Sequence, residues 1–207
     1  MEPVHIQMNA NNKKISVINT RHTQLDSLDY EVNVVDFNMK KVWSRTGTMN
    51  VSADRYTELF TIPEGLNLTP VYFVKLSLKK RDGVVFSDNT YWLSSSGKPD
   101  FSELSKLEPV ALDVTAHIDE KGKELQVTVK IKNNTGKLSF FNRLIISRGE
   151  NGEEVLPTFW DSNFIILFPG EEKILKAVIE NEDLHGADPY LSIDGNAKVK
   201  PVLLKNK

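Results

Sequence analysis

The sequence predicts an all-β protein made of two successive β-sandwich domains. Apolar and polar residues alternate along segments 4–8, 72–78, 110–118 and 125–131. Because successive side chains of a strand point to opposite faces of a sheet, each segment has one buried and one solvated face. No long segment has the 3.6-residue periodicity of an amphipathic helix.

Turn-forming residues separate these segments. Asp82-Gly83, Lys121-Gly122, Asn151-Gly152 and Pro169-Gly170 lie between predicted strands. Glycine and asparagine tolerate the positive φ angles of tight hairpins. Their spacing of roughly 8–12 residues is typical of a sandwich or barrel.

A small polar segment, Ser94–Asp100, interrupts the pattern and suits a linker. It leads into a predicted helical turn, which Glu108-Pro109 ends. We therefore predict a first domain over residues 1–97, a linker over 98–108 and a second domain over 109–207. Each domain has about the size of one immunoglobulin-type sandwich, and the absence of cysteine makes both disulfide-free.

Composition narrows the class of function. Hydrophobic residues make up 40% of the 207 residues, charged residues make up 26%, and the formal net charge is −2. Nucleic-acid binding usually needs a concentrated positive field, so we expect no nucleic-acid partner. No apolar stretch approaches the roughly 18 residues of a membrane span, so we expect no membrane partner. Residues 1–5 lack the basic and apolar regions of a signal peptide.

The sequence offers no catalytic or metal-binding constellation. None of the four histidines pairs with another at metal-ligand spacing. Glu153-Glu154 and Glu171-Glu172 are adjacent in extended segments, so each pair is expected to point to opposite faces. Asp26 and Asp29 are predicted to lie in a loop. Serine elbows, phosphate loops and dinucleotide fingerprints are absent, so we expect no catalytic residue, no metal and no cofactor.

One loop is a candidate sugar contact. Trp160, Asp161 and Asn163 follow Pro157 in a turn-rich stretch ahead of a predicted strand. An exposed tryptophan beside Asp and Asn can stack on a sugar ring and hydrogen-bond its hydroxyls. In the alternative interpretation, Asp161 or Asn163 folds onto the backbone as an Asx turn while Trp160 caps the sandwich.

Several short motifs, taken in order, carry a resemblance to a known family. They are Tyr72–Leu76, Asn89–Ser94, the spacing of Asp100, Leu104, Leu107 and Pro109, then Phe140–Leu144, Val155–Pro157, Asn163-Phe164 and Leu167–Glu171. With these motifs the chain resembles the two C-terminal immunoglobulin-like domains of glycoside hydrolase family 2 enzymes. The branch is that of exo-β-D-glucosaminidases, mannosylglycoprotein endo-β-mannosidases and β-mannosidases. The family usually has Ser-Asp-Asn before an aromatic residue where this chain has Asp161-Ser162-Asn163.

The resemblance implies an accessory role without catalytic residues of its own. The catalytic glutamates of such enzymes belong to a (β/α)₈ barrel elsewhere in the same polypeptide, which would be the partner of these domains. The parent would be exported and would cleave terminal β-linked glucosamine or mannose. Two alternatives stay open: an autonomous carbohydrate-binding module, and an adhesin-type domain pair.

Overall fold

A computed structural model describes residues 2–206 and confirms the all-β prediction. The described residues contain 17 β-strands and two short 3-10 helices. They divide into two compact units, Met1–Lys106 and Leu107–Lys207. The division falls inside the segment that the sequence predicts as a linker.

Unit 1 consists of two antiparallel sheets with the order β1-β2-β5 and β4-β3-β6-β7. Its strands are β1 Val4–Met8, β2 Lys14–Asn19, β3 Leu25–Asp36, β4 Lys41–Val51, β5 Arg55–Thr61, β6 Val71–Lys80 and β7 Val85–Ser94. Apolar residues on the facing sides form one core, in which Ile6, Ile15, Val32, Leu76 and Leu78 have no exposed surface. The apolar residues of the alternating pattern therefore lie on the inward face of each strand.

The 3-10 helix Ser102–Lys106 ends unit 1. The Asp100 carboxylate accepts the backbone N–H of Ser102 at 2.9 Å, in an Asx turn that precedes the helix. The backbone N–H and the side chain of Ser102 both hydrogen-bond to this carboxylate and lower the pKa of Asp100. One turn later, the Glu103 carboxylate accepts the backbone N–H of Val71 at 3.4 Å and ties the helix to the start of β6.

Unit 2 is a second sandwich with sheets β12-β14-β10-β9 and β13-β11-β15-β17, plus a parallel pair β16-β8. Its strands are β8 Val110–Ala111, β9 Asp113–Lys121, β10 Glu124–Lys132, β11 Ser139–Arg148, β12 Phe159–Trp160, β13 Ile165–Leu167, β14 Glu172–Glu180, β15 Pro189–Asp194, β16 Ala197–Lys198 and β17 Val202–Leu203. A short 3-10 helix, Asn181–Leu184, follows β14. The core between the sheets includes Val127, Val129, Ile131, Leu144 and Ile146, none of which has exposed surface.

Buried asparagine side chains complete the hydrogen bonding of unit 2 where its strands end or bulge. Asn133 has no exposed surface, and its Nδ2 donates to the carbonyls of Lys137 and Leu167 at 2.8 and 3.0 Å. Its Oδ1 accepts the N–H of Thr135 at 3.0 Å. Asn142, equally buried, donates to the Ile165 carbonyl and accepts the N–H of Ala197. Buried backbone groups without a ladder partner are costly, and these amides supply the missing partners.

This network predicts that neighbouring asparagines differ sharply in their contribution to stability. We expect Asn133→Ala to lower the free energy of unfolding by about 2–4 kcal/mol, because several buried groups lose their partners. The matched control is Asn134→Ala, since Asn134 is exposed and donates to the exposed carboxylate of Asp113. We expect this control to change stability by less than about 0.5 kcal/mol. Urea titrations followed by the amide NMR signals of β10 measure both values, and equal effects would contradict the assignment.

Candidate functional site

The candidate sugar-contacting loop is the segment that carries the chain of unit 2 from one sheet to the other. After β11, Val155 is fully buried and its N–H donates to the Ile146 carbonyl at 2.8 Å. Strand β12 then pairs with β14 of the first sheet, and β13 pairs with β11 of the second sheet. Residues 161–164 join β12 to β13 and form the crossover between the sheets.

Trp160 and its neighbour Phe159 point to opposite faces of β12. Trp160 stands opposite Ala177, which is 1% exposed, and its partly buried side chain packs against the core of unit 2. Phe159 stands opposite Val178 and is 68% exposed. The more exposed aromatic ring at this position is therefore Phe159, which the sequence analysis did not single out.

Asp161 and Asn163 hold the two ends of the crossover. Asp161 makes two hydrogen bonds with the backbone of Lys176 in β14: its N–H donates to the carbonyl at 2.9 Å, and its carboxylate accepts the N–H at 3.0 Å. The Asn163 side chain brackets Leu144 of β11, with Oδ1 accepting its N–H at 2.8 Å and Nδ2 donating to its carbonyl at 3.0 Å. Each side chain thus takes the place of a strand residue at the edge of a different sheet, as Asx side chains do when they bond to backbone.

Beside Asn163, two phenylalanines have left-handed backbone conformations. Phe141, in the bulged part of β11, and Phe164 both have φ 54°. Their ring centroids lie 5.2 Å apart, and the rings are 45% and 49% exposed. Bulky residues rarely adopt positive φ, because Cβ crowds the following carbonyl oxygen. Sequence reasoning missed this pair because neither turn chemistry nor periodicity marks a phenylalanine for that conformation.

The adjacent glutamates have separate partners. Glu153 lies 3.1 Å from Arg148, whereas Glu154 lies 2.7 Å from Arg143. Glu172 forms an ion pair with Lys130 at 2.9 Å, and Glu171 accepts the backbone N–H of Phe168 at 2.8 Å. These contacts lie at different places in unit 2 and do not bring two carboxylates to one bond.

Asp26 and Asp29 were predicted in a loop, but both lie in β3. Asp29 and Glu31 are two residues apart on the strand, so they share a face, and both line a shallow depression of about 280 Å³ on unit 1. The alternation of Asp29, Glu31 and Asn33 with Tyr30 and Val32 is the signal in the sequence that could have placed them in a strand.

This depression lacks the features of a hydrolytic site. Glu31 accepts a hydrogen bond from Asn33 at 2.8 Å, and this bond, with nearby Lys41, lowers the pKa of Glu31. The Asp29 carboxylate accepts the hydroxyl of Thr48 at 2.6 Å. A glycosidase needs one carboxyl with a raised pKa and a second on the other side of the scissile bond. Glu31 has a lowered pKa and stands beside Asp29 on one flat face.

Two further observations concern the described part of the chain. Residues 2–206 contain no group of three or more His, Cys, Asp or Glu side chains placed to hold a metal ion. Within the same range, no helix is long and apolar enough to cross a membrane.

The chain is similar to immunoglobulin-like domains of known glycosidases. Residues 11–96 match the profile of the mannosidase Ig/CBM-like domain, and residues 89–197 match that of the exo-β-D-glucosaminidase Ig-fold domain. The chain is 28% identical to the exo-β-D-glucosaminidase of Amycolatopsis orientalis, over 94% of this chain and 21% of the relative. For the exo-β-D-glucosaminidase of Hypocrea jecorina the identity is 26%, over 97% of this chain and 24% of the relative.

Solved structures agree with these matches. The exo-chitosanase of Amycolatopsis orientalis superposes with a TM-score of 0.86 and 27% identity, over 98% of this chain and 26% of that protein. The β-mannosidase of Dictyoglomus thermophilum, with a TM-score of 0.61 and 14% identity, shares the fold. The chain spans about a fifth to a quarter of the length of the exo-β-D-glucosaminidases of Amycolatopsis orientalis, Streptomyces avermitilis and Hypocrea jecorina. The profile match over residues 89–197 extends across more than half of the sequence, and the chain belongs to the family of exo-β-D-glucosaminidase immunoglobulin-fold domains.

Proposed function

We propose that this chain is the accessory part of a longer exo-acting glycosidase that releases terminal β-linked glucosamine. One observation carries the proposal: the similarity to exo-β-D-glucosaminidases extends over 94% of this chain yet accounts for only 21% of the relative. Mannose is the alternative sugar, since residues 11–96 match a mannosidase domain and a mannosylglycoprotein endo-β-mannosidase of Lilium longiflorum is 30% identical over 64% of the chain and 14% of its own length.

The proposed role is to brace a catalytic (β/α)₈ barrel of the same polypeptide. Such a barrel needs about 250 residues of alternating strands and helices, and the described residues form antiparallel sandwiches instead. The adjacent glutamates of unit 2 have separate backbone or ion-pair partners, and the carboxylates of the unit 1 depression bond to side chains of the same sheet. Hydrolysis would therefore take place in the barrel, while the sandwiches supply a rigid support.

Export of the parent protein is part of the same proposal. An enzyme that trims the ends of a polymeric aminoglycan meets its substrate outside the cell, because such polymers do not cross a membrane. The accessory domains would then function without disulfides, since the chain contains no cysteine.

We propose that Trp160, Asp161 and Asn163 contact sugar only in the full-length enzyme. The crossover that Asp161 and Asn163 anchor would stand at the rim of the barrel's pocket and touch substrate there, in the full-length enzyme. An autonomous carbohydrate-binding module is less well supported. With Trp160 as its stacking platform it would need that ring exposed, whereas the ring packs against the core of unit 2.

The accessory role predicts a larger protein in the source cells and an inert isolated chain. Antibodies against this 23.4 kDa chain should detect, in the exported fraction, a polypeptide about four to five times larger, in proportion to the relatives it matches. The purified chain should give no turnover of aryl β-D-glucosaminides or aryl β-D-mannosides. A free 23 kDa band as the only product, or clear turnover by the isolated chain, would refute the accessory role.

The position of Trp160 predicts a structural effect that a purely sugar-binding residue would not have. We expect Trp160→Ala to lower the free energy of unfolding by about 2–4 kcal/mol, because it opens a cavity beside the core. Phe159→Ala is the matched control, and its exposed ring should cost less than about 1 kcal/mol. Chemical denaturation of both variants measures the difference.

Calorimetry with chitosan and mannan oligosaccharides completes this test. We expect no binding to the isolated wild-type chain. Binding that disappears in a folded Trp160→Ala variant would instead establish the carbohydrate-binding module.

A further inference from the structure

The turn that follows β11 in unit 2 contains Asn151-Gly152, the one place in the chain where glycine follows asparagine. The backbone N–H of Arg148 donates to the Glu153 carbonyl at 2.9 Å. Residues 149–152 form the loop that this hydrogen bond closes. The turn therefore depends on the backbone geometry of a short exposed segment.

The backbone geometry of the turn favours this pair of residues. Asn151 has φ 59°, in the left-handed region that asparagine tolerates better than most residues. A Cβ atom on Gly152 would lie 1.8 Å from the carbonyl oxygen of Arg148. Only glycine fits there, because a contact that short is a steric clash. The turn thus keeps asparagine and glycine side by side.

The same pair has the groups for an intramolecular reaction. The Asn151 side chain is exposed, and within residues 2–206 it makes no hydrogen bond. The backbone N–H of Gly152 donates to the Gly149 carbonyl at 3.3 Å, which is longer than the usual range of about 2.7–3.2 Å. Glycine also has no side chain to hinder the approach of its nitrogen to the carboxamide. Neither reacting group is therefore firmly held.

We propose that Asn151 is a site of spontaneous deamidation, in which the Gly152 nitrogen attacks the side-chain carbonyl carbon of Asn151. The new carbon–nitrogen bond closes a succinimide ring. The carboxamide carbon–nitrogen bond breaks, and ammonia leaves with the proton that the Gly152 nitrogen gave up. Water then opens the ring at either carbonyl and leaves aspartate or isoaspartate. The site lies within unit 2 and does not depend on the accessory role proposed above.

The two products have different effects on the turn. Aspartate keeps the length of the backbone, whereas isoaspartate inserts the side-chain Cβ into it. The loop has no room for the added atom beside Gly152, which already lies against the Arg148 carbonyl. Isoaspartate therefore breaks the hydrogen bond between Arg148 and Glu153 and the adjoining bridge between Ser147 and Glu154. Deamidation at this site loosens the end of β11 irreversibly.

The reaction rate is set by local opening of the turn. Ring closure requires the Asn151 backbone to rotate out of its left-handed conformation, so the folded turn slows the reaction without preventing it. The turn lies at an exposed loop tip, where local opening costs little free energy. Hydroxide removes the proton from the Gly152 nitrogen before the attack, so the reaction is faster at higher pH.

The test is to incubate the full chain in mildly alkaline buffer and to follow every asparagine by peptide mapping with mass spectrometry. We expect amide loss at Asn151 to be faster than at Asn67 and Asn134, which are equally exposed but precede leucine and threonine. Electron-transfer fragmentation should identify more isoaspartate than aspartate at this position. Equal rates at the three asparagines would overturn the proposal. So would a folded chain that keeps the Asn151 amide while the urea-denatured chain loses it.

Two variants test the effect on the turn. Asn151→Gly removes the carboxamide and suits the positive φ, so the hydrogen-exchange protection of the Arg148 amide should not change during incubation. Asn151→Asp reproduces the aspartate product and should keep that protection when freshly purified. The incubated wild-type chain should lose it in proportion to its isoaspartate content. Full protection of Arg148 in a chain rich in isoaspartate would contradict the proposed opening of the turn.

Discussion

Unit 2 depends on the requirement that buried backbone N–H and C=O groups be paired even where the strand ladder is interrupted. The bulge in β11 and the crossover from β12 to β13 both leave such groups without a strand neighbour. Side-chain amides fill these places, with Asn142 at the bulge and Asn163 in the crossover, and Asn133 does the same for the end of β13. Each amide offers both donor and acceptor in a short, stiff side chain, which is the combination that a missing strand residue provides.

The same requirement explains why the residues that looked most functional in the sequence have structural contacts. Asp161 and Asn163 are polar residues in a turn-rich stretch, a pattern typical of binding loops. In the structure their polar atoms are bonded to Lys176 and Leu144. The same polar residue types can contact substrate or hydrogen-bond to backbone N–H and C=O groups. Sequence alone does not distinguish these two roles, because they differ in whether a strand backbone lies within about 3 Å of the side chain.

The fold was predictable because every second residue of a sandwich strand faces the core and is therefore apolar. Segments 72–78 and 125–131 lie within strands β6 and β10. The prediction that Asp26 and Asp29 lie in a loop was wrong. The outer face of β3 is polar, and polar composition is also typical of loops. The left-handed conformations of Phe141 and Phe164 could not be predicted. Both conformations depend on the packing of strands that are distant in the sequence, and no local residue pattern predicts that packing.

The double attachment of the crossover has a consequence for how unit 2 comes apart. Asp161 is fixed to one sheet and Asn163 to the other, with a single residue between them. A link this short leaves the two sheets no freedom to slide past each other or to peel away separately at that edge. We therefore expect separation of one sheet at this edge to disrupt the other, so that the two sheets of unit 2 unfold together.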